Sequence, residues 1–300
     1  MDLYWWGRDP LRVDRSLSSP TRVVLELAWI PGAGVEASLA AEVLAGAARP
    51  GQLYWPIGSV ALVAPGAGAH PGVGPAVDTA RQLCPAATVT VVEETVAALA
   101  GAGLDPEPAA CVVVHSDVAH TSVAVVAGRE VVARGVAAGG AQGLAQAVIG
   151  HLRAEHGLDV GLEEAWIAAV DGGAFRPSAS PPVAGPRTMT GRVVAEDGTI
   201  VRPQATVTPT ELRAVLTPAY QPVTDLVAQV LRDAPPETAR QAVAGGLLLT
   251  GQHPAGVDEY LAGLSGLPAR RTVDPKGRYD RFRTLLDGVD RLFTEPDTRP

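Results

Sequence analysis

Between Cys111 and His156 three apolar runs follow one another with almost no intervening chain, and a helical pattern closes the series. Val112 to Val114 forms the first run and Ser122 to Ala127 the second. A two-residue turn at Gly128 and Arg129 reverses the chain into the third, Val131 to Ala133. Short apolar runs separated by turn residues are the signature of a meander of strands. Gly139 and Gly140 interrupt that pattern. Beyond them Leu144, Ala147, Val148 and Leu152 recur at three- and four-residue spacing, which predicts an amphipathic helix. Strand, strand, strand, helix commits this part of the chain to a mixed α/β domain.

The rest of the sequence fits a two-domain α/β protein. The first 20 residues read as irregular. Strands are then expected at Val23 to Trp29, Val60 to Val63 and Thr88 to Val92, with helices at Val35 to Ala47, Ala76 to Leu83 and Thr95 to Ala100. A first domain over residues 1–105 gives way near Pro106 to a second over 106–300. The run RPSASPP, between Gly172 and Pro186, is too rich in Pro and Ser for a packed element and reads as a linker into a small subdomain at about 173–208. Within it, Thr188 to Val194 and Ile200 to Val207 flank Asp197 and Gly198, a hairpin signal. Thr208, Pro209 and Glu211 make a capping box with proline at the first helical position. Val223, Leu226, Val227, Val230 and Leu231 carry that helix onward. The tail from Thr294 to Pro300 reads as disordered.

The order of these pieces resembles MreB, the bacterial actin, within the actin, DnaK and sugar-kinase superfamily. The segment Glu94 to Gly103 is similar to the family's hinge, Leu247 to Gly251 to its late strand, and Ala64 to Gly68 to a turn in its first domain; the likeness spans roughly residues 35 to 265. It implies an actin-like fold of two RNase H-like domains, the first reduced by loss of its small outer subdomain. MreB opens with a Gly-rich phosphate loop, whereas this chain offers MDLYWWGRDPLRVDRSLSSP.

What the resemblance implies about nucleotide is largely negative. The family's second phosphate turn combines Asp, glycines and threonines, and here the corresponding run is His115, Ser116, Asp117, Val118, Ala119, His120, Thr121. Phosphate lies against backbone only where no Cβ intervenes. Asp117 adds a negative charge facing a polyanion. Gly139 and Gly140 stand where the family has Gly-Gly-Asp. In the late turn Thr250 and Gly251 are kept while Gln252 and His253 replace glycines. Glu163 or Glu164 could supply the ribose-contacting acid, with Trp166 at the lysine position, and the water-positioning carboxylate falls near Val73. The expected degenerate cleft therefore comprises His115, Asp117, Val118, Ala119, His120, Thr121, Gly139, Gly140, Glu164, Thr250, Gly251, Gln252 and His253, with no catalytic residue, no metal and no cofactor. ATP with magnesium is the alternative.

Other features bound the function. A net charge of -8 without a basic run argues against nucleic acid. Apolar stretches fall short of the roughly 18 residues a membrane helix needs, and no signal peptide opens the chain, so the expected location is the cytoplasm. Tyr4, Trp5 and Trp6 offer two readings: shallow insertion into a bilayer, or packing onto the surface vacated by the missing subdomain, the second being favoured because one such signal anchors weakly. Cys84 and Cys111 read as buried free thiols. His115, Asp117 and His120 could bind a metal or shuttle protons, and His70 and His253 would approach the same cleft. Drift after loss of the glycines is the favoured explanation, so no metal is assigned. The expectation is a nucleotide-independent, actin-like cytoskeletal or scaffolding protein linked to cell shape or division. Its partners would be other actin-like or morphogenetic proteins, or itself. A weakly ATP-binding, filament-forming ATPase is the alternative.

Overall fold

The computed structural model describes residues 12–14, 21–26, 57–67, 70, 72–103, 110–176, 185–194, 198–272 and 280–294. The chain forms two compact units, Met1–Asp105 with Phe282–Pro300, and Pro106–Arg281.

In the first unit β1 (Arg12–Asp14), β2 (Thr21–Glu26), β3 (Ile57–Ala64) and β4 (Thr88–Glu93) form one sheet in that order. The first pair is antiparallel and the next two are parallel. β1 lies in the stretch expected to be irregular; three residues are too few to show a period, and their pairing with β2 is what makes them a strand. Val60, Leu62, Ala64, Ala76, Ala80 and Cys84 form the core between β3 and α1 (Val73–Leu83). The expected helix at Val35 to Ala47 lies outside the described residues, as do Tyr4, Trp5 and Trp6.

The C-terminal segment was expected in the second domain, yet Phe282–Pro300 belongs to the first unit. The cause is a close helix pair, α2 (Glu94–Gly101) with α8 (Asp280–Thr294). A Cβ at Gly101 would lie 1.7 Å from the Thr284 carbonyl oxygen, and one at Gly288 would lie 1.8 Å from that of Ala97. Two glycines thus let two backbones touch. Arg291 adds a hydrogen bond from Nη1 to the Ala100 carbonyl at 2.8 Å. The sequence hides this contact, because Gly288 inside a helix reads only as a weak helix former.

The second unit has a five-stranded sheet ordered β13-β12-β5-β6-β7. β5 (Ala110–Ser116), β6 (His120–Ala127) and β7 (Glu130–Ala138) are the predicted antiparallel meander. β12 (Leu247–Gly251) pairs parallel with both β5 and β13 (Ala269–Arg271). β5 is buried along its whole length, which explains its unbroken apolar run. The series β6-β5-β12-β13 repeats the antiparallel, parallel, parallel scheme of β1-β2-β3-β4, and β7 is the strand by which the second sheet exceeds the first among the described residues. β7 runs to Ala138 rather than Ala133. Gly135, which looks like a break, is where α5 lies close: a Cβ there would meet Leu226 Cδ1 at 2.3 Å.

Helices α3 (Gly140–His156), α5 (Pro209–Asp233) and α6 (Pro236–Gly245) contribute Leu144, Val148, Leu152, Leu216, Tyr220, Val223, Val230 and Ala242 to one core with the sheet. α4 (Leu162–Asp171) and α7 (Val257–Ser265) complete the unit. The predicted hairpin is present as β8 (Arg187–Thr190) with β11 (Gln204–Val207) and β9 (Val193–Val194) with β10 (Ile200–Val201), both ladders in one register. Of the expected linker, residues 177–184 lie outside the described set. The capping box is formed: Glu211 N–H donates to Thr208 Oγ1 at 3.2 Å, and Thr208 N–H donates to Glu211 Oε2 at 3.4 Å. Cys84 and Cys111 are free and buried, and burial pushes both thiols above their ordinary range.

Candidate functional site

The run from His115 to Thr121 is not one turn. His115 and Ser116 end β5, His120 and Thr121 begin β6, and only Asp117, Val118 and Ala119 connect them. Register continues to Ser116 opposite Thr121, whose hydroxyl donates to Ser116 Oγ at 3.2 Å. Asp117 N–H then donates to the His120 carbonyl at 2.9 Å and closes the hairpin. Asp117 is buried, and its Oδ2 lies 3.9 Å from His120 Nδ1, beyond hydrogen-bond length. His115 is fully buried and pairs through Nδ1 with Thr250 Oγ1 at 2.8 Å on the neighbouring strand. Among the described residues, His115, Asp117 and His120 do not form a group whose ligand atoms converge on one point.

This hairpin turn sits on the start of α3. Ala141 N–H donates to the Asp117 carbonyl at 2.9 Å, Gln142 N–H to that of Val118 at 2.8 Å, and Gly139 N–H to that of Ala119 at 2.8 Å. First-turn amides of a helix are the groups that bind anions. Here carbonyl oxygens take two of them. Gly139 and Gly140 are required by this packing: both have positive φ, and a Cβ on Gly140 would lie 2.3 Å from the Asp117 carbonyl oxygen.

The end of β12 closes on β5 in the same manner. Gly251 has φ of 83°, a Cβ there would lie 2.2 Å from the Ser116 carbonyl oxygen, and that oxygen accepts Gln252 N–H at 2.8 Å. His253 is fully buried, with Nε2 3.2 Å from the Val114 carbonyl and Nδ1 2.9 Å from the Tyr220 hydroxyl. A carbonyl only accepts, so Nε2 carries the proton and Tyr220 donates to Nδ1. Burial, then the nearby Arg271 charge, lowers the His253 pKa to about 3. This imidazole is a neutral structural bridge.

On α4, Trp166 Nε1–H donates to Gln252 Oε1 at 3.1 Å, so two residues expected at nucleotide-contacting positions bond each other. Glu164 accepts Thr190 N–H at 2.8 Å and pins β8 to α4. Glu163 stays exposed and lines, with Glu164, Ile167 and Arg187, a groove of about 410 Å³ beside β8. His70 lies in the first unit, buried, with Nδ1 accepting Gly72 N–H at 3.0 Å ahead of α1. Val73, the first residue of α1, offers no carboxylate. Tyr220 and Arg271 were not anticipated. Their partners lie on other elements, and nothing local in the sequence announces them.

The family model for "MreB/Mbl protein" matches residues 61–277. The chain belongs to this family. No curated protein matches the sequence of this MreB/Mbl member. Its fold is similar to the crystal structure of MreB5 of Spiroplasma citri bound to AMPPNP, at 20% identity and a TM-score of 0.72, over 91% of this chain and 79% of that one. The MamK double helical filament is similar at 16% identity and a TM-score of 0.61, over 90% and 79%. Human actin-related protein Arp8 in its ATP-bound state follows at 15% and 0.61, over 90% and 62%. The MreB/Mbl chain is thus a mixed α/β protein of actin-like fold, the fold it shares with an ATP-bound actin-related protein. No helix among its described residues is long and apolar enough to cross a membrane.

Proposed function

We propose that this MreB/Mbl member is a nucleotide-independent, actin-like cytoskeletal or scaffolding protein that self-associates or joins other actin-like or morphogenetic proteins in shaping or dividing the cell. Membership of the family and likeness to a filament of MamK support the filament-forming part. The observation that carries nucleotide independence is the turn Asp117–Ala119. It presents side chains and a carboxylate where a phosphate needs bare backbone, and its carbonyls cover the first amides of α3. Trp166 bonded to Gln252, and Glu164 bonded to Thr190, support the same reading, because each spends a group that could contact nucleoside. Each lost charge-assisted hydrogen bond removes about 1.5 to 3 kcal/mol, so three such losses carry a micromolar ligand beyond about 1 mM. On this reading no cofactor is held, the protein works in the cytoplasm, and Tyr4, Trp5 and Trp6 give any membrane contact.

A weakly ATP-binding ATPase is the second reading. Its support is the retained Gly139, Gly140 and Gly251, and the AMPPNP and ADP bound in the similar MreB5 structures. Titration calorimetry with Mg-ATP separates the two. Saturable binding tighter than about 100 μM favours the ATPase, and no heat up to about 1 mM favours nucleotide independence.

A further inference from the structure

Away from the β5–β6 turn, two imidazoles and a carboxylate converge where α3 ends and α5 begins. His151 Nε2 and His156 Nε2 each lie 2.7 Å from the same oxygen, Glu211 Oε1. All three ligand atoms fall within 4.8 Å of one another, and among the described residues no other group of three His, Cys, Asp or Glu side chains does so. The histidines are five residues apart in α3, hence about 140° around the helix and about 7.5 Å along it. They meet at one point because α5 carries Glu211 up to them. The two rings stand edge to face with centroids 5.9 Å apart.

The carboxylate is held in place independently of the histidines. Glu211 is the third residue of α5, and its second oxygen, Oε2, accepts Thr208 N–H in the capping box. Its Oε1 is thereby aimed at the imidazoles. Side-chain exposures of 22%, 28% and 25% for His151, His156 and Glu211 leave the group open to solvent ions. Burial opposes ionisation of Glu211, and hydrogen bonds from His156, His151 and Thr208 outweigh it, so the carboxyl titrates below its ordinary range.

We propose that His151, His156 and Glu211 bind one divalent transition-metal ion of the zinc class. Two imidazole nitrogens and one carboxylate oxygen form three of the four ligands of a zinc site whose remaining position belongs to water. Ligand bonds of about 2.0 to 2.2 Å place neighbouring ligand atoms of a tetrahedral ion about 3.3 Å apart, so the present 2.7 Å separations widen by about 0.6 Å on binding. Partly exposed side chains on two helices reach that spacing by small torsions. Oε2 keeps its bond to Thr208 N–H and orients the ligand from behind. The ion would cross-link the last two turns of α3 to the first turn of α5, immediately after the β8–β11 hairpin.

The test is calorimetric titration of the tag-free full chain with zinc chloride at neutral pH, together with thermal unfolding. The expected result is one equivalent bound with Kd below about 10 μM, a zinc-dependent rise in Tm, and at least a tenfold loss of affinity in each of His151→Gln, His156→Gln and Glu211→Gln. His156→Gln, at an exposed helix end, and Glu211→Gln, which keeps the capping box, should still unfold cooperatively without zinc, and any lowering of their zinc-free Tm from the lost hydrogen bonds is separate from loss of the zinc-dependent rise. Absence of binding tighter than about 100 μM, or binding unchanged by all three substitutions, would overturn the proposal.

Discussion

Tyr220 in the middle of α5 donates its hydroxyl to His253 Nδ1 at 2.9 Å, while His253 Nε2–H reaches the Val114 carbonyl on β5. One imidazole thus joins the longest helix among the described residues, the central strand and the connection after β12, and Arg271 Nη2 secures that connection by donating to the His253 carbonyl at 2.8 Å. Tyr220→Phe removes the donor and leaves Nδ1 buried and unsatisfied. A loss of about 1 to 3 kcal/mol in urea unfolding is expected, with no change in the denaturant slope.

The same imidazole makes stability fall in acid. Its pKa is about 3 in the fold against an ordinary value near 6.5 in the unfolded chain. Below pH 6.5 the unfolded state takes up a proton that the folded state refuses. His253's contribution is therefore fully present above pH 6.5 and is lost as the pH falls toward 3, at about 1.4 kcal/mol per unit. Against His253→Gln, whose stability at neutral pH is lower, the parent should show a slope steeper by about one proton between pH 6 and 4. Parallel slopes for the two would contradict the assignment.

Glycines in this chain fall into opposite classes, and alanine substitution should separate them. Gly101→Ala and Gly288→Ala each drive a methyl into a carbonyl oxygen of the facing helix, so each should cost about 1 to 3 kcal/mol and expose α8 to proteolysis. Gly150 lies within α3 with nothing inside 4 Å of an added Cβ. Gly150→Ala should stabilise by about 0.5 to 1 kcal/mol. Thermal melts of the three variants test both signs at once.

That contrast marks how far the sequence could be read. The meander, α3 and the Thr208–Glu211 box were legible because their signals are local: a period of two, a period of 3.6, or a cap three residues from its partner. The return of α8 to the first unit was not, since it rests on two glycine notches in segments nearly 200 residues apart, Ala100 and Arg291 being separated by 191. In the candidate site, the absence of glycine from Asp117 to Ala119 was visible from residue type alone. The partners that engage Gln252, Glu164 and His253 were not, because Trp166, Thr190 and Tyr220 stand 86, 26 and 33 residues away. His253 was expected to face a cleft, and a sequence cannot distinguish a histidine lining a cavity from one bridging a core.

Restoring glycines should not restore nucleotide binding. In Asp117→Gly/Val118→Gly/Ala119→Gly the carbonyls at 117 and 118 still cap Ala141 and Gln142, and Trp166 still holds Gln252. The triple variant should lose about 0.5 to 1 kcal/mol of stability per added glycine and show no saturable Mg-ATP binding below about 1 mM in calorimetry. Gain of micromolar affinity would make these three side chains the whole obstacle and return the protein to the ATPase class.

Assembly is where the proposed nucleotide independence has its largest consequence. A ligand shifts an equilibrium between conformations only through a difference in its affinity for them, and one that binds neither shifts nothing. If nucleotide does not bind, polymer must rest on surfaces that are always displayed, and its amount should follow protein concentration and salt alone. Sedimentation of the purified chain over a concentration series should give the same critical concentration with no nucleotide, with Mg-ATP and with Mg-ADP. Mixing with a native MreB distinguishes the two modes of association: co-sedimentation at concentrations where this chain alone stays in the supernatant indicates hetero-association, and pelleting unaffected by the partner indicates self-assembly. Filaments that appear only on addition of ATP would defeat the nucleotide-independent reading, because nucleotide would then have to bind and bias assembly.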